Sequence, residues 1–115
     1  MLAVVATTLA LGAPLAACGS GHATVRSPAP TGAVAHDAEL LEGRTIFAAK
    51  CAQCHGASGG GGVGPRINNG QLLRDFATID DQLAFMRERH IARALTTLQL
   101  RAAVRYEREV LSNVR

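Results

Sequence analysis

One short motif constrains this chain more than any other feature. Cys51, Cys54 and His55 stand in the order Cys-x-x-Cys-His, and Gly56 follows at once. Two thiols at this spacing can each bond to one vinyl group of a porphyrin, and the next residue supplies an imidazole that can ligate the iron. The motif therefore predicts one covalently attached haem c and a chain that folds around it.

Two other kinds of site use the same pair of cysteines, and both fit this sequence less well. A thioredoxin-like redox pair follows a strand in a βαβ pattern, whereas the residues flanking this motif have helical periodicity. A zinc site needs four ligands. The remaining cysteine and histidines, at positions 18, 22, 36 and 90, make no second pair of suitable spacing. We therefore favour haem attachment.

The first seventeen residues resemble an export signal. Positions 1–17 carry no charge and are rich in Leu, Ala and Val, and two alanines precede Cys18. This pattern is typical of a bacterial lipoprotein signal peptide, whose cleavage leaves the cysteine as a lipidated N-terminus. The basic residues that usually open such a signal are missing, which is consistent with a start codon further upstream. An uncleaved transmembrane anchor is the alternative, although Gly12 and Pro14 interrupt a segment that is short for one.

The lipoprotein interpretation accounts for all three cysteines of the chain. Cys18 takes lipid, Cys51 and Cys54 take haem, and no disulfide is needed. Both modifications finish outside the cytoplasmic membrane, so we expect the protein at the cell surface or in the periplasm, anchored by its lipid. Positions 18–36 are rich in Gly, Ser, Pro, Thr and Ala and predict a flexible tether. Positions 37–115 then form one small domain.

Helical periodicity runs through the domain, and no alternating strand pattern interrupts it. The first predicted helix begins at Asp37 as its N-cap, and its inward stripe is Leu40, Gly43, Phe47 and Cys51. The second runs from about Asp80 to Ala94, and the residues near one of its faces are Ile79, Leu83, Met86, His90 and Ile91.

The third predicted helix begins with a capping box formed by Thr96 and Gln99. Its stripe is Leu100, Ala103, Val104, Tyr106 and Val110. Glu107 and the arginines are expected largely outside. The predicted fold class is all-α. Because the chain has no tryptophan, one tyrosine and three phenylalanines, a buried haem would supply much of its apolar bulk, and we expect the haem-free chain to be poorly ordered.

Over residues 39–111 the domain resembles a monohaem class I c-type cytochrome of the small bacterial type. Gly43 and Phe47 resemble that family's first helix, where a glycine and an aromatic residue allow a close crossing with the last helix. The resemblance implies that Tyr106 is the partner aromatic. It also implies a small cytochrome c fold, with about three main helices around a covalently bound haem.

The Gly-Pro pair at positions 64 and 65 resembles the loop that follows the haem motif in this family. The resemblance implies that the Pro65 carbonyl accepts a hydrogen bond from the ring of His55, which fixes the tautomer of that axial ligand. The glycines from Gly59 to Gly62 then form a flexible connection and not a phosphate-binding loop, since no Gly-Lys-Ser/Thr sequence follows them.

The sequence departs from the family on the other side of the iron. The family's Met-Pro loop, which supplies the sixth ligand, has no counterpart between Met86 and Leu95. His90 or Met86, four residues apart, could replace it. A His90 ligand would lower the potential relative to a His/Met pair. An open sixth site and a degenerate site are the other possibilities.

The resulting functional hypothesis is a membrane-tethered carrier of single electrons, not an enzyme by itself. We expect a monomer whose partners are membrane oxidases, reductases or dehydrogenases. The net charge of +3 favours an acidic redox partner. Arg66, which follows His55 by eleven positions, could pair with a haem propionate. Nucleic acid is not expected as a partner, because the chain has almost no aromatic residues to stack on bases.

Two alternative functions remain. One is a haem protein that binds ligands or reacts as a weak peroxidase, with five-coordinate or bis-histidine iron, and the other is a non-redox lipoprotein.

Overall fold

The computed structural model describes residues 31–113, and these residues form helices and loops without a strand. The predicted all-α class is confirmed. The helices are α1 (Ala33–His36), α2 (Ala38–Ile46), a π-helical segment (Phe47–Cys51), α3 (Ala52–His55), α4 (Gln71–Asp75), α5 (Ile79–Arg87), a 3-10 turn (His90–Ala94), α6 (Thr97–Glu109) and a second 3-10 turn (Leu111–Asn113).

The predicted N-terminal features fall largely outside the described residues. Positions 1–30 include the signal segment, Cys18 and most of the tether. Helix α1 lies within the last positions of the predicted tether, and Val34 in it is buried. Within residues 31–113, no helix is long and apolar enough to cross a membrane.

Helix α2, the π segment and α3 follow one another without a break and lead into the haem motif. Asp37 caps the start, as predicted: its side chain accepts a hydrogen bond of 3.0 Å from the Leu40 amide. The stripe predicted for this helix is buried, from Leu40 to Cys51. The π segment ends at Cys51, and such wide turns are frequent at functional sites.

The close crossing of the first and last helices is present as expected. Gly43 lies against the backbone of Ala102, and a Cβ atom added at Gly43 would lie 2.6 Å from the Ala102 carbonyl carbon. Only glycine therefore permits this approach. One turn further on, the rings of Phe47 and Tyr106 are in contact, with centroids 5.7 Å apart.

The second predicted helix is correct in its first part and wrong in its last. Helix α5 begins with a capping box between Thr78 and Asp81, which the sequence prediction missed, and it ends at Arg87 instead of Ala94. Arg89 is extended (φ −84°, ψ 144°), and a 3-10 turn follows. The turn brings Ala92 into a buried cluster with Leu83, Leu100 and Val104, so tertiary packing overrides the local helical pattern.

Helix α6 begins at the predicted capping box. The Thr96 amide donates to Gln99 Oε1 at 3.0 Å, and the Gln99 amide donates to Thr96 Oγ1 at 3.2 Å. The predicted stripe is buried except for Val110, which is partly buried. One expectation is wrong: Glu107, expected outside, is only 5% exposed. Because α6 packs against both α2 and α5, more than one of its faces is covered.

Candidate cofactor site

A cavity of about 560 Å³ opens beside the haem motif, a size typical of pockets that hold small molecules and cofactors. The predicted haem-attachment residues, Pro65 and both candidates for the sixth iron ligand lie in its wall, together with mainly apolar side chains. The lining residues are Lys50, Cys51, Cys54, His55, Pro65, Ile67, Leu72, Phe76, Gln82, Phe85, Met86, Arg89, His90, Ile91 and Glu107.

The two cysteines of the motif differ in their surroundings. Cys51 ends the π segment and is buried, whereas Cys54 in α3 is exposed, and both are free thiols. Burial, followed by the nearby Glu107 carboxylate and Cys54, raises the pKa of the Cys51 thiol to about 12. A thioredoxin-like pair depends on a lowered thiol pKa. The surroundings of Cys51 therefore disfavour that alternative and suit a thiol that is consumed in a covalent bond.

The imidazole of His55 is oriented by the chain that follows it. Its Nδ1 atom lies 2.7 Å from the Pro65 carbonyl oxygen. Because a carbonyl can only accept, Nδ1 must carry the proton, and Nε2 keeps the lone pair that a metal ion requires. The contact inferred from the family resemblance is therefore present.

Backbone hydrogen bonds hold the connecting glycine-rich loop against α3. The Gly61 amide donates to the His55 carbonyl at 2.7 Å, and the Gly64 amide donates to the Cys54 carbonyl at 2.8 Å. These bonds define the path of the chain from His55 to Pro65.

Met86 and His90 both line the cavity, on the α5 side of it. They do not lie on one continuous helix, as the spacing predicted, because α5 ends at Arg87. Met86 is partly buried and packs against the cluster that contains Leu83 and Ala92. His90 is exposed and begins the 3-10 turn.

The arginine in the cavity wall is not the one proposed from the sequence. Arg66 is exposed and donates to Asn68 at 2.7 Å, and it is not among the lining residues. Arg89 lies in the wall instead, with its guanidinium 3.9 Å from the centre of the Phe85 ring. The helix break at Arg87 brings this residue there, and no short sequence pattern marks that break.

Two polar lining residues were missed, Gln82 and Glu107. Both are almost fully buried, with exposures of 1% and 5%. A signal for Glu107 was available, since it follows Leu100 by seven positions and Val104 by three and so continues their buried stripe. Its charge argued for the outside, and the helical spacing was the better guide.

A family model described as Cytochrome c matches residues 40–106, from the first turn of α2 to Tyr106 in α6. The chain belongs to the cytochrome c family. Comparison with curated proteins and with solved structures finds no match. The cytochrome is of class I, binds covalent haem c and acts as an electron carrier.

The residues of this cytochrome c fit a haem. The cavity has apolar walls, two free thiols and an imidazole whose Nε2 is available to a metal. The bound haem supplies a one-electron couple between ferric and ferrous iron. The chain contributes the attachment points, the orientation of His55 and the exclusion of water. Cytochrome c domains of this kind typically lie outside the cytoplasm.

Proposed function

We propose that this cytochrome c carries single electrons through a haem bonded to Cys51 and Cys54, with His55 Nε2 as one axial ligand. The observation that supports it best is the 2.7 Å hydrogen bond between His55 Nδ1 and the Pro65 carbonyl. That bond commits Nδ1 to the protein and leaves Nε2 for the iron, in the cavity that both cysteines also line.

His90 is proposed as the second axial ligand. It lines the cavity, and within residues 31–113 its side chain makes no hydrogen bond or ion pair that ligation would break. Met86 packs against apolar neighbours, and moving its sulfur to the iron would give up those contacts. A bis-histidine iron has a lower potential than a His/Met iron, which favours an acceptor or donor of correspondingly low potential.

Visible spectra of the haem-loaded protein test both ligands. The ferric and ferrous proteins are recorded with and without carbon monoxide, and so are the His90→Ala and Met86→Leu variants. We expect six-coordinate, low-spin iron that does not bind the gas in the wild type and in Met86→Leu, and high-spin ferrous iron that binds it in His90→Ala.

Three other results would contradict this assignment in different ways. A wild-type protein that is high-spin and binds carbon monoxide would favour the ligand-binding or peroxidase-like function. Loss of the low-spin spectrum in Met86→Leu alone would identify Met86 as the ligand. A chain that acquires no covalent haem on denaturing gels stained for haem would favour the degenerate lipoprotein.

The membrane tether is part of the same proposal. Cys18 follows an apolar segment that ends in small residues, and a lipid at that position would hold the carrier close to membrane oxidases, reductases or dehydrogenases. The Cys18→Ser variant should move the haem protein from the membrane fraction to the soluble fraction. Retention of that variant in the membrane would indicate an uncleaved anchor instead.

A further inference from the structure

Glu107 is a buried acid in the wall of the haem cavity, and neither haem attachment nor axial ligation uses it. The residue is 5% exposed and lines the cavity together with Cys51. An ionised carboxylate is costly to bury unless a partner compensates its charge. Its partners therefore decide what the side chain can do there.

The only hydrogen-bonding partner of the Glu107 side chain among the described residues is neutral. Gln82 Nε2 donates to Glu107 Oε2 at 2.8 Å, and Gln82 is itself 1% exposed. A cation bonds to the far side of that amide: Arg108 Nη1 donates to Gln82 Oε1 at 3.3 Å and to the Phe76 carbonyl at 3.1 Å. No ion pair to Glu107 occurs within residues 31–113.

The charged and titratable groups that surround Glu107 come from several elements. On the π segment, Cys51 is affected by the Glu107 carboxylate, which helps to raise the pKa of its thiol. Arg108 on α6 bonds to Gln82 on α5, and the amide of Gln82 bonds in turn to Glu107. The others share the cavity wall with it and are Lys50, Cys54, His55, Arg89 and His90.

These surroundings leave Glu107 able to gain or lose a proton near neutrality. Burial raises the pKa of its carboxyl group to about 7, and the hydrogen bond from Gln82 opposes that rise only in part. A haem in the same cavity carries one more positive charge when ferric than when ferrous. In a site of low dielectric constant, that extra charge favours the ionised carboxylate.

We propose that Glu107 takes up a proton from solvent when this cytochrome is reduced and releases it on oxidation, so that electron transfer is coupled to proton transfer near neutral pH. One electron arrives from the redox partner and one proton arrives from water, and the products are ferrous iron and a neutral carboxylic acid. The inference rests on haem binding in this cavity and names a residue that sets how the potential responds to pH.

The sign of the pH dependence follows from the proton balance. Where Glu107 is protonated in the ferrous state and ionised in the ferric state, each rise of one pH unit makes reduction up to tenfold less favourable. For a one-electron couple this is a fall in potential of up to about 59 mV per pH unit. At pH values where Glu107 has the same protonation state in the ferric and ferrous proteins, it does not make the potential depend on pH.

The test is the reduction potential of the haem-loaded protein between about pH 5 and pH 9, for the wild type, Glu107→Gln and Glu42→Gln. Glu42 is an exposed carboxylate on α2 that does not line the cavity, so its variant controls for the loss of one negative charge. We expect the potential to fall through neutrality in the wild type and in Glu42→Gln. Glu107→Gln can still accept a hydrogen bond from Gln82, but its potential should not fall in this way.

A flat wild-type profile, or a slope that persists in Glu107→Gln, would overturn the proposal. Either result leaves the carrier function intact, because a reversible one-electron couple at any single pH tests that function separately. Conversely, an irreversible couple or the absence of haem would contradict the proposed carrier function itself.

Two further measurements remain informative if Glu107→Gln does not take up haem. Infrared difference spectra of the wild type should show the carbonyl stretch of a protonated carboxyl group on reduction, with a shift in D₂O, and the absence of that band would refute the proposal. Gln82→Leu removes the donor that favours the ionised form, so the sloping part of the profile should move to higher pH. A purely structural role for the pair predicts no such movement.

Discussion

Replacing Gly43 by alanine should separate the two helices on which the domain depends. A methyl group at Gly43 would lie 2.6 Å from the carbonyl carbon of Ala102 and 2.9 Å from Tyr106 Cβ, and closer still to the Ala102 carbonyl oxygen. Two of these three atoms belong to the backbone of α6, so no side-chain rotation relieves the contact. The helices must move apart by about 1 Å, and a gap of that size forfeits a quarter to half of each dispersion contact.

The expected cost is set by two opposing effects. Overpacking of a closely packed core costs about 1–3 kcal/mol, and the rigid backbone on the far side of the contact favours the upper end. Alanine is the better helix former by about 1 kcal/mol. The net loss in the free energy of unfolding is therefore about 2 kcal/mol, which lowers the Tm of a domain of this size by roughly 8–16 °C.

Thermal unfolding of the haem-loaded protein, followed by far-UV circular dichroism, measures this loss. Gly60→Ala is the matched control, because a methyl group there meets nothing nearer than 3.8 Å. Its Tm should stay near the wild-type value. A Gly43→Ala protein as stable as the wild type would show that the crossing tolerates a wider separation, and the reasoning from the contact at Ala102 would be refuted.

Two more predictions concern charge. Burial raises the pKa of Glu107 from 4.5 to about 7, so the folded chain binds this proton more tightly than the unfolded chain, and stability falls as the pH rises from 4.5 through 7. At 1.36 kcal/mol per pKa unit the loss is about 3 kcal/mol. Urea unfolding of the ferrous protein at pH 5 and pH 8 measures this loss, which should be absent in Glu107→Gln. An equal loss of stability in the wild type and in Glu107→Gln would contradict the raised pKa of Glu107. Arg105 donates to Asp37, Glu39 and Glu109. Arg105→Met should lower the Tm by roughly 4–8 °C in low salt and by less in 1 M salt, whereas a salt-independent loss would point to packing alone.

The parts of the fold that follow from local chemistry could be predicted from the sequence. Asp37 and Thr96 have side chains that bond to free amides three residues later, and such caps depend on a few neighbouring residues only. The crossing at Gly43 was also predictable, because the resemblance to a known family supplied the partner helix. Thr78 and Asp81 form a capping box of the same kind that was overlooked, so that omission is not a limit of the sequence itself.

The site was predictable on one side of the cavity and not on the other. Cys51, Cys54, His55 and Pro65 lie within fifteen positions of one another, and backbone hydrogen bonds between α3 and the following loop bring them together. The opposite wall depends on where α5 stops. That point is fixed by the packing of Ala92 against α5 and α6, which is a contact between distant positions.

The helix break after Arg87 and the burial of Glu107 have a common cause. Each contradicts a local rule, since nothing in the sequence after Arg87 breaks a helix and a lone glutamate ordinarily stays in water. Each also places residues in the wall of the same cavity, with His90 and Arg89 following the break and Glu107 facing Cys51. Local preferences are most often violated where a protein is built around a function. A chain that needed only a stable helical core would gain from continuing α5 and from an apolar residue at position 107. The departures are therefore best explained by the haem that this cavity fits, and they identify the residues through which the chain can adjust its potential.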